Sequence, residues 1–453
     1  MTLTRLARSV HRAGRGTVAD LVLYAGSTVY AGIIAVTSNL PAHKAWGTIA
    51  VFGYAALTVL SLVQRLTIGR ATAHRATTHR PTAPAVRMAV VFVGWVATTL
   101  VPLVVESAQR ATGMPGRAQD EVGVVEVAAA RLVDTGSPYL SHDGILAALP
   151  AQGYLAYVPY NPGIAVFGLP RRYGGDVWWA DARVWFAVVT AVALVAALVL
   201  LRRVAPATVL VRAAQAVTVL PICALTLATG GDDMPVLALT LLALAFAVRG
   251  LRDGSGGTVW WLAAGLVVGD AAAMKLFALP VLVILAVVVA VRGGAGRVAW
   301  RPLGWYLLPA LAIPVVTLGP ITLRDPDGVV ENLVRYPLGH GLAKSPAASN
   351  LPGHLIAVLV PGGGVVASVL LVVAGLAFMV YLLVRPPVDV AAAARRAAVA
   401  MLLAIMLAPA TRFGYLLYPA AYAVWSVALY ARSDETDVTE GAGVRVAAAS
   451  DLA

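Results

Sequence analysis

From Val184 to Leu201 the chain runs eighteen residues without one charged side chain. As a helix such a run is roughly 27 Å long, close to the ~30 Å of bilayer hydrocarbon, and in lipid only a helix or a closed barrel satisfies its own backbone. The pattern recurs. Apolar segments of spanning character occupy residues 18–37, 45–63, 88–105, 182–201, 208–228, 234–248, 258–274, 276–291, 303–322, 363–384, 397–410 and 415–431. The composition agrees: 60% of the 453 residues are hydrophobic and 12% charged, against roughly 25% charged in soluble domains. The sequence therefore predicts an all-α polytopic membrane protein with about 12 transmembrane helices.

The arginines test that count. Arg5, Arg8, Arg12 and Arg15 precede the first segment, and the stretch 65–87 holds five arginines and no acid. Arg202/Arg203, Arg249/Arg252, Arg292/Arg297/Arg301, Arg385/Arg395/Arg396 and Arg432 mark later turns. With twelve spans every one of these falls on the same side, which the positive-inside rule makes cytoplasmic. The formal charge of +12 then encodes orientation in the cell membrane, and no nucleic-acid partner is expected.

The domain reading follows: a cytoplasmic basic tail (1–17) rather than a cleaved signal, one membrane domain (18–431) with outer loops 106–181 and 323–362, and a disordered cytoplasmic tail (432–453). Residues 153–170 are apolar, but Pro159 and Pro162 interrupt them, and counting them as a span would reverse every later loop. They are read as a surface or re-entrant segment. The one cysteine, Cys223, excludes a disulfide framework or a cysteine metal site. No internal repeat of the transporter kind is present.

The outer loops hold the chemistry-bearing residues. "QDEVGVVEVAAARLVDTGSPYL" (119–140) concentrates acid in a chain with only 22 acidic residues. Asp120 is expected at a helix N-cap. Glu126 falls on an otherwise apolar face, where a carboxylate needs a partner or a cavity. Val122, Val125, Ala129 and Leu132 form a stripe suited to the membrane interface. Further candidates for substrate binding are Tyr139, Tyr160, Asp181, Arg183, Asp232, Asp233, Ser345 and Tyr415. Asp270 and Lys275 lie about 140° apart on one helix, so each is expected to meet a neighbouring element instead of the other.

Arg335, His340, Lys344 and Arg412, with Lys275, make a set of cations suited to a lipid-linked phosphate. Phosphate-loop, HExxH and G-x-S-x-G motifs are absent, and His74 and His79 sit in a basic loop. Neither a protein-built metal site nor a cofactor is expected.

The stretches "DEVGVVEVAAARLVDTGSPY", "YNPGIAVFGLP", "GGDDMPVLALTLLALAF", "AMKLFALPVL" and "LAPATRFGYLLYP" resemble those of polyprenol-phosphate-dependent mannosyltransferases of glycosyltransferase family 87, in the GT-C superfamily. The resemblance runs from about residue 88 to 431 and covers the two N-terminal spans less. It implies a GT-C-like fold whose large first outer loop carries interface helices. The implied activity is inverting, metal-independent transfer of a hexose, mannose in the family, to a glycolipid or envelope glycan outside the membrane. The donor would be a polyprenyl-phosphate sugar, and an aspartate at the start of the first outer loop would act as base.

That position matches Asp120. Counted back from "SPY" it falls nearer Val122, so Glu121 competes for the role, and Glu126 is a third candidate. Two other readings stand beside this one. One is a secondary transporter or flippase of a lipid-linked or anionic substrate; the other is a transferase moving a different group from a lipid phosphate. Polar clusters at helix ends, not at mid-membrane on broken helices, favour an enzyme over a transporter.

Overall fold

The computed structural model describes residues 16–71, 84–253, 257–293 and 297–430. The two tails, with Arg5, Arg8, Arg12, Arg15 and Arg432, and the loop bearing His74 and His79 lie outside the described residues. Among those described the structure is all helical, apart from turns and one isolated bridge between Ala348 and Thr411.

The chain opens with a hairpin of two helices, α1 (Thr17–Thr37) and α2 (Pro41–Ala71), followed by α3 (Pro84–Ala111), which has a π-turn at Val96–Leu100. The loop after α3 carries α4 (Asp120–Thr135) and α5 (His142–Gln152). The bundle continues with α6 (Ala182–Leu201), α7 (Ala207–Thr218), α8 (Pro221–Thr229), α9 (Asp233–Arg252), α10 (Thr258–Met274), α11 (Leu279–Ala290) and α12 (Trp300–Arg324). It closes with α13 (Pro352–Leu359), α14 (Gly363–Val384), α15 (Val390–Leu407) and α16 (Leu417–Ala428).

Each of the twelve predicted segments contains helix within the described residues, and the chain is a multi-pass membrane protein. Eight described helices are long and apolar enough to cross a bilayer, and α7 with α8, bent by 45°, makes a ninth candidate. Helices α10, α11 and α16 are shorter. Helix α9 is apolar on every side and 83% buried, so it forms the axis of the bundle; α14 is 11% buried and lies at the periphery. Close approach of α10 to α12 depends on small residues. A Cβ on Gly265 would overlap the carbonyl oxygen of Tyr306, and one on Gly269 would lie 2.7 Å from that of Pro309.

The helix ends separate into two sets. At the basic end Asp20 on α1 binds Arg87 on α3 at 2.7 Å and Arg212 on α7 at 2.7 Å, while Arg292 donates to the Gly250 carbonyl at 2.9 Å. The acid-bearing loops gather at the opposite end.

Two expectations need correction. Asp120 is the first residue of α4 and not its cap; Gln119 holds the N-cap position and makes no side-chain cap bond. The stripe Val122, Val125 and Ala129 does not lie on the membrane interface. It is buried by the chain's own 162–168 turn, where Gly168 has no room for a side chain against Val125 and Glu126. Residues 153–174 form short 3-10 turns and a six-residue helix, too broken to span.

Candidate active site

Three backbone ties assemble the acidic end. Gln119 N–H donates to the Thr229 carbonyl at 2.8 Å, fixing the start of α4 beside the turn into α9. That turn needs Gly230, whose φ of +109° is open to few other residues. Asn161 donates from its backbone to the Met274 carbonyl (3.0 Å) and from its side chain to the Ala272 carbonyl (2.6 Å), setting Tyr160 against the end of α10. The Ala348–Thr411 bridge, with Ser349 N–H donating to the Thr411 carbonyl at 2.9 Å, holds Arg412 in place.

These ties surround a cavity of about 1130 Å³. Its polar lining includes Asp120, Glu121, Asp232, Asp233, Lys275 and Arg412. Lys275 ends α10 in extended backbone and donates to Asp232 (2.7 Å) and Asp233 (2.6 Å). Its ammonium also lies 5.0 Å from the ring centre of Tyr160 and 5.6 Å from that of Tyr415. Tyr418 donates to Asp233 at 3.0 Å. Burial would drive the Lys275 proton off, but Asp232 and Asp233 outweigh it and hold the amine above the ordinary lysine range. Burial, helped by the neighbouring Asp233 and opposed by Lys275, pushes the Asp232 carboxyl up to about 6.

Arg412 pairs with Glu121 through one terminal nitrogen. Asp120 pairs with no cation among the described residues; it accepts a 2.5 Å hydrogen bond from the Tyr154 hydroxyl. That bond is the main cause raising the Tyr154 hydroxyl to about 12. The site thus offers one carboxylate without a counter-ion and two cations with spare donors. A lysine has three N–H bonds, of which two are used, and a guanidinium has five.

Not all the predicted residues meet here. Glu126 binds Arg110 through both oxygens (2.8 and 2.6 Å), and Arg110 also binds Asp181 at 3.0 Å. Asp181 in turn holds Arg183 at 2.9 Å, with Glu106 3.8 Å from Arg183. Glu126, Asp181 and Arg183 form this closed network and do not line the cavity.

Arg335 is exposed and pairs with Glu331 at 3.0 Å, and His340 and Lys344 are exposed as well. The expected convergence of cations is therefore limited to Lys275 and Arg412. Tyr139 is buried and donates to the Tyr160 carbonyl at 2.8 Å, supporting the wall from behind. Ser345 accepts from Ala347 N–H at 3.2 Å outside the cavity, whereas Ser349 lines it. Asp270 forms no ion pair among the described residues, and no group of three metal-ligating side chains is found among them.

Sequence reasoning missed His43 at the start of α2, whose ring contacts the Gln119 side chain and lines the cavity. An ionisable residue at the outer end of an apolar segment was the available signal.

No protein-family model and no curated protein matches the chain. Among solved structures it is similar to ArnT from Cupriavidus metallidurans bound to undecaprenyl phosphate, at 19% sequence identity and a TM-score of 0.47. The match covers 79% of this chain and 63% of ArnT, so the chain spans less than two thirds of that protein's length.

Proposed function

We propose that this chain is a GT-C-like membrane glycosyltransferase. It would move a hexose, mannose by the family resemblance, from a polyprenyl-phosphate sugar to a glycolipid or envelope glycan on the extracytoplasmic face. The observation carrying this reading is the pairing, in one cavity, of an uncompensated carboxylate (Asp120) with two cations that keep spare donors (Lys275, Arg412).

Asp120 accepts the proton of the acceptor hydroxyl as its oxygen attacks the anomeric carbon. The bond from that carbon to the phosphate oxygen breaks, and the electron pair leaves on the lipid phosphate, whose growing charge meets Arg412 and Lys275. One displacement inverts the anomeric centre. Glu121 orients Arg412, and Asp232 with Asp233 orient Lys275. The aromatic side chains of Tyr160 and Tyr415 offer faces for a sugar ring beside the ammonium. Glu126 is a structural residue in this scheme.

The test is reconstitution in nanodiscs with polyprenyl-phosphate-mannose and a membrane glycolipid. Formation of a glycosidic product with stoichiometric release of polyprenyl phosphate is expected. Uptake of the donor into sealed proteoliposomes without any such product would replace this reading with a flippase.

A further inference from the structure

The cavity extends beyond its charged end. Val22, Gly26, Tyr30 and Ile34, each four residues apart on α1, line it on one side, with Ile222 and Leu225 of α8 also in its wall. That spacing puts the four on one face of the helix. From Val22 to Ile34 the stripe covers about 18 Å, more than half the hydrocarbon thickness of a bilayer.

Apart from the Tyr30 phenol, its hydroxyls are spent inside their own helices: Ser27 donates to the Leu23 carbonyl at 2.7 Å and Thr226 to that of Ile222 at 2.6 Å. The stripe therefore has little to offer a polar ligand and much to offer a hydrocarbon chain. It also joins the cavity that holds Arg412 and Lys275, so a chain attached to a phosphate passes from the cations directly onto this wall. The same hairpin brings His43 to the polar end.

Gly26 is the informative position. Glycine weakens a helix interior, yet a Cβ built there meets nothing within 4 Å, so no neighbouring part of the chain requires its absence. The space it leaves belongs to the cavity.

We infer that the N-terminal hairpin, which the family resemblance covers least, is a substrate-binding element. The α1 stripe and α8 form the slot for the first units of the lipid donor's hydrocarbon chain, and Gly26 sets its width. This rests on the proposed reading that the donor is a lipid phosphate.

The test compares Gly26→Trp with Val29→Trp, a control on the same helix at an exposed position outside the cavity. Full-length protein in nanodiscs is assayed for retention of sugar-free long-chain polyprenyl phosphate and of a geranyl-length analogue, and for transfer from the corresponding mannosyl donors. Gly26→Trp is expected to weaken long-chain retention by about tenfold or more, as several methylenes lose their apolar wall. The short analogue should be little affected, and Val29→Trp should behave as wild type.

Unchanged long-chain binding in Gly26→Trp overturns the slot, whatever the transfer assay reads. Equal losses in both variants, or equal losses for both chain lengths, overturn it too. A slot-specific loss of binding in a protein that transfers no sugar supports the slot and removes the glycosyltransferase reading instead.

Discussion

Glu121 and Glu126 stand five residues apart on α4, each bonded to an arginine, yet they belong to different kinds of site. Five residues turn a helix by about 140° beyond a full circle, so the two point in different directions. Glu126 binds Arg110, which links it to Asp181 and so to Arg183, both almost wholly buried, and none of these four lines the cavity. Glu121 faces the cavity, where Arg412 is 31% exposed and reachable by a ligand. Neither residue type nor exposure separates the two carboxylates, whose side chains are 11% and 10% exposed; lining the cavity does.

The largest expected effect tests that division. Asp120→Asn should lower the rate of transfer by about 10²–10⁴-fold, the usual worth of a general base, with the thermal midpoint unchanged because its carboxylate supports no ion pair. Glu126→Gln should do the reverse, lowering the thermal midpoint while the folded fraction retains its turnover. Were Glu126→Gln to abolish turnover in well-folded protein, the division would be wrong.

Next in size is a contrast between two arginines. Arg183→Met leaves Asp181 and Glu106 short of a cation in a closed interior, which should cost about 3–5 kcal/mol of stability. Arg412→Met removes a cation from a cavity wall and should instead raise the donor KM with a much smaller loss of stability. Unfolding of both variants in the same nanodiscs measures this. Equal destabilisation would erase the distinction between closed and open clusters.

Much of this was legible in the sequence, and the reason is local. A run such as 184–201 is apolar regardless of its neighbours, so the helices followed from length alone. The concentration of acid at residues 120–126 is likewise visible in the sequence itself. Which carboxylate faces the cavity was not legible. It depends on Gln119 binding Thr229 and on residues 162–168 covering α4, contacts between segments roughly forty to over a hundred positions apart.

His43 was missed for the same reason: its place at the end of an apolar segment is visible, but that it shares a cavity with Arg412 depends on contacts far apart in sequence. Arg335, His340 and Lys344 carry charge suited to a phosphate, but the sequence does not say that they stay outside the cavity. Glu331 and Asp327, on the turns before it, take up Arg335.

A smaller effect concerns the open cluster's charge. With its carboxyl raised to about 6, Asp232 is neutral below that pH and ionised above it. Protonation removes a negative charge beside Lys275 while Asp233 still holds the amine. Lowering the pH from 7.5 to 5.5 should therefore reduce the donor KM, by about two- to fivefold for one unit charge in a partly screened site. Asp232→Asn should show the low-pH value throughout. A wild-type KM that is flat over this range, or one that rises as pH falls, would contradict the placement of the phosphate near Lys275.

The smallest expected effect is the sharpest boundary test. Arg335 carries charge like Arg412, lies between the long helices like Arg412, and differs in being about half exposed and paired with Glu331 outside the cavity. An exposed pair of this kind is worth about 0–1 kcal/mol. Arg335→Ala, alone or with Lys344→Ala, should therefore change the donor KM by less than about twofold at physiological salt, where the screening length is about 8 Å. Repeating the measurement at low ionic strength separates the two ways of missing that value. A deficit that appears only at low salt means the loop attracts the anionic donor from a distance. A tenfold rise in KM that persists at high salt means that the loop reaches the phosphate directly, and the open cluster would then have to include it.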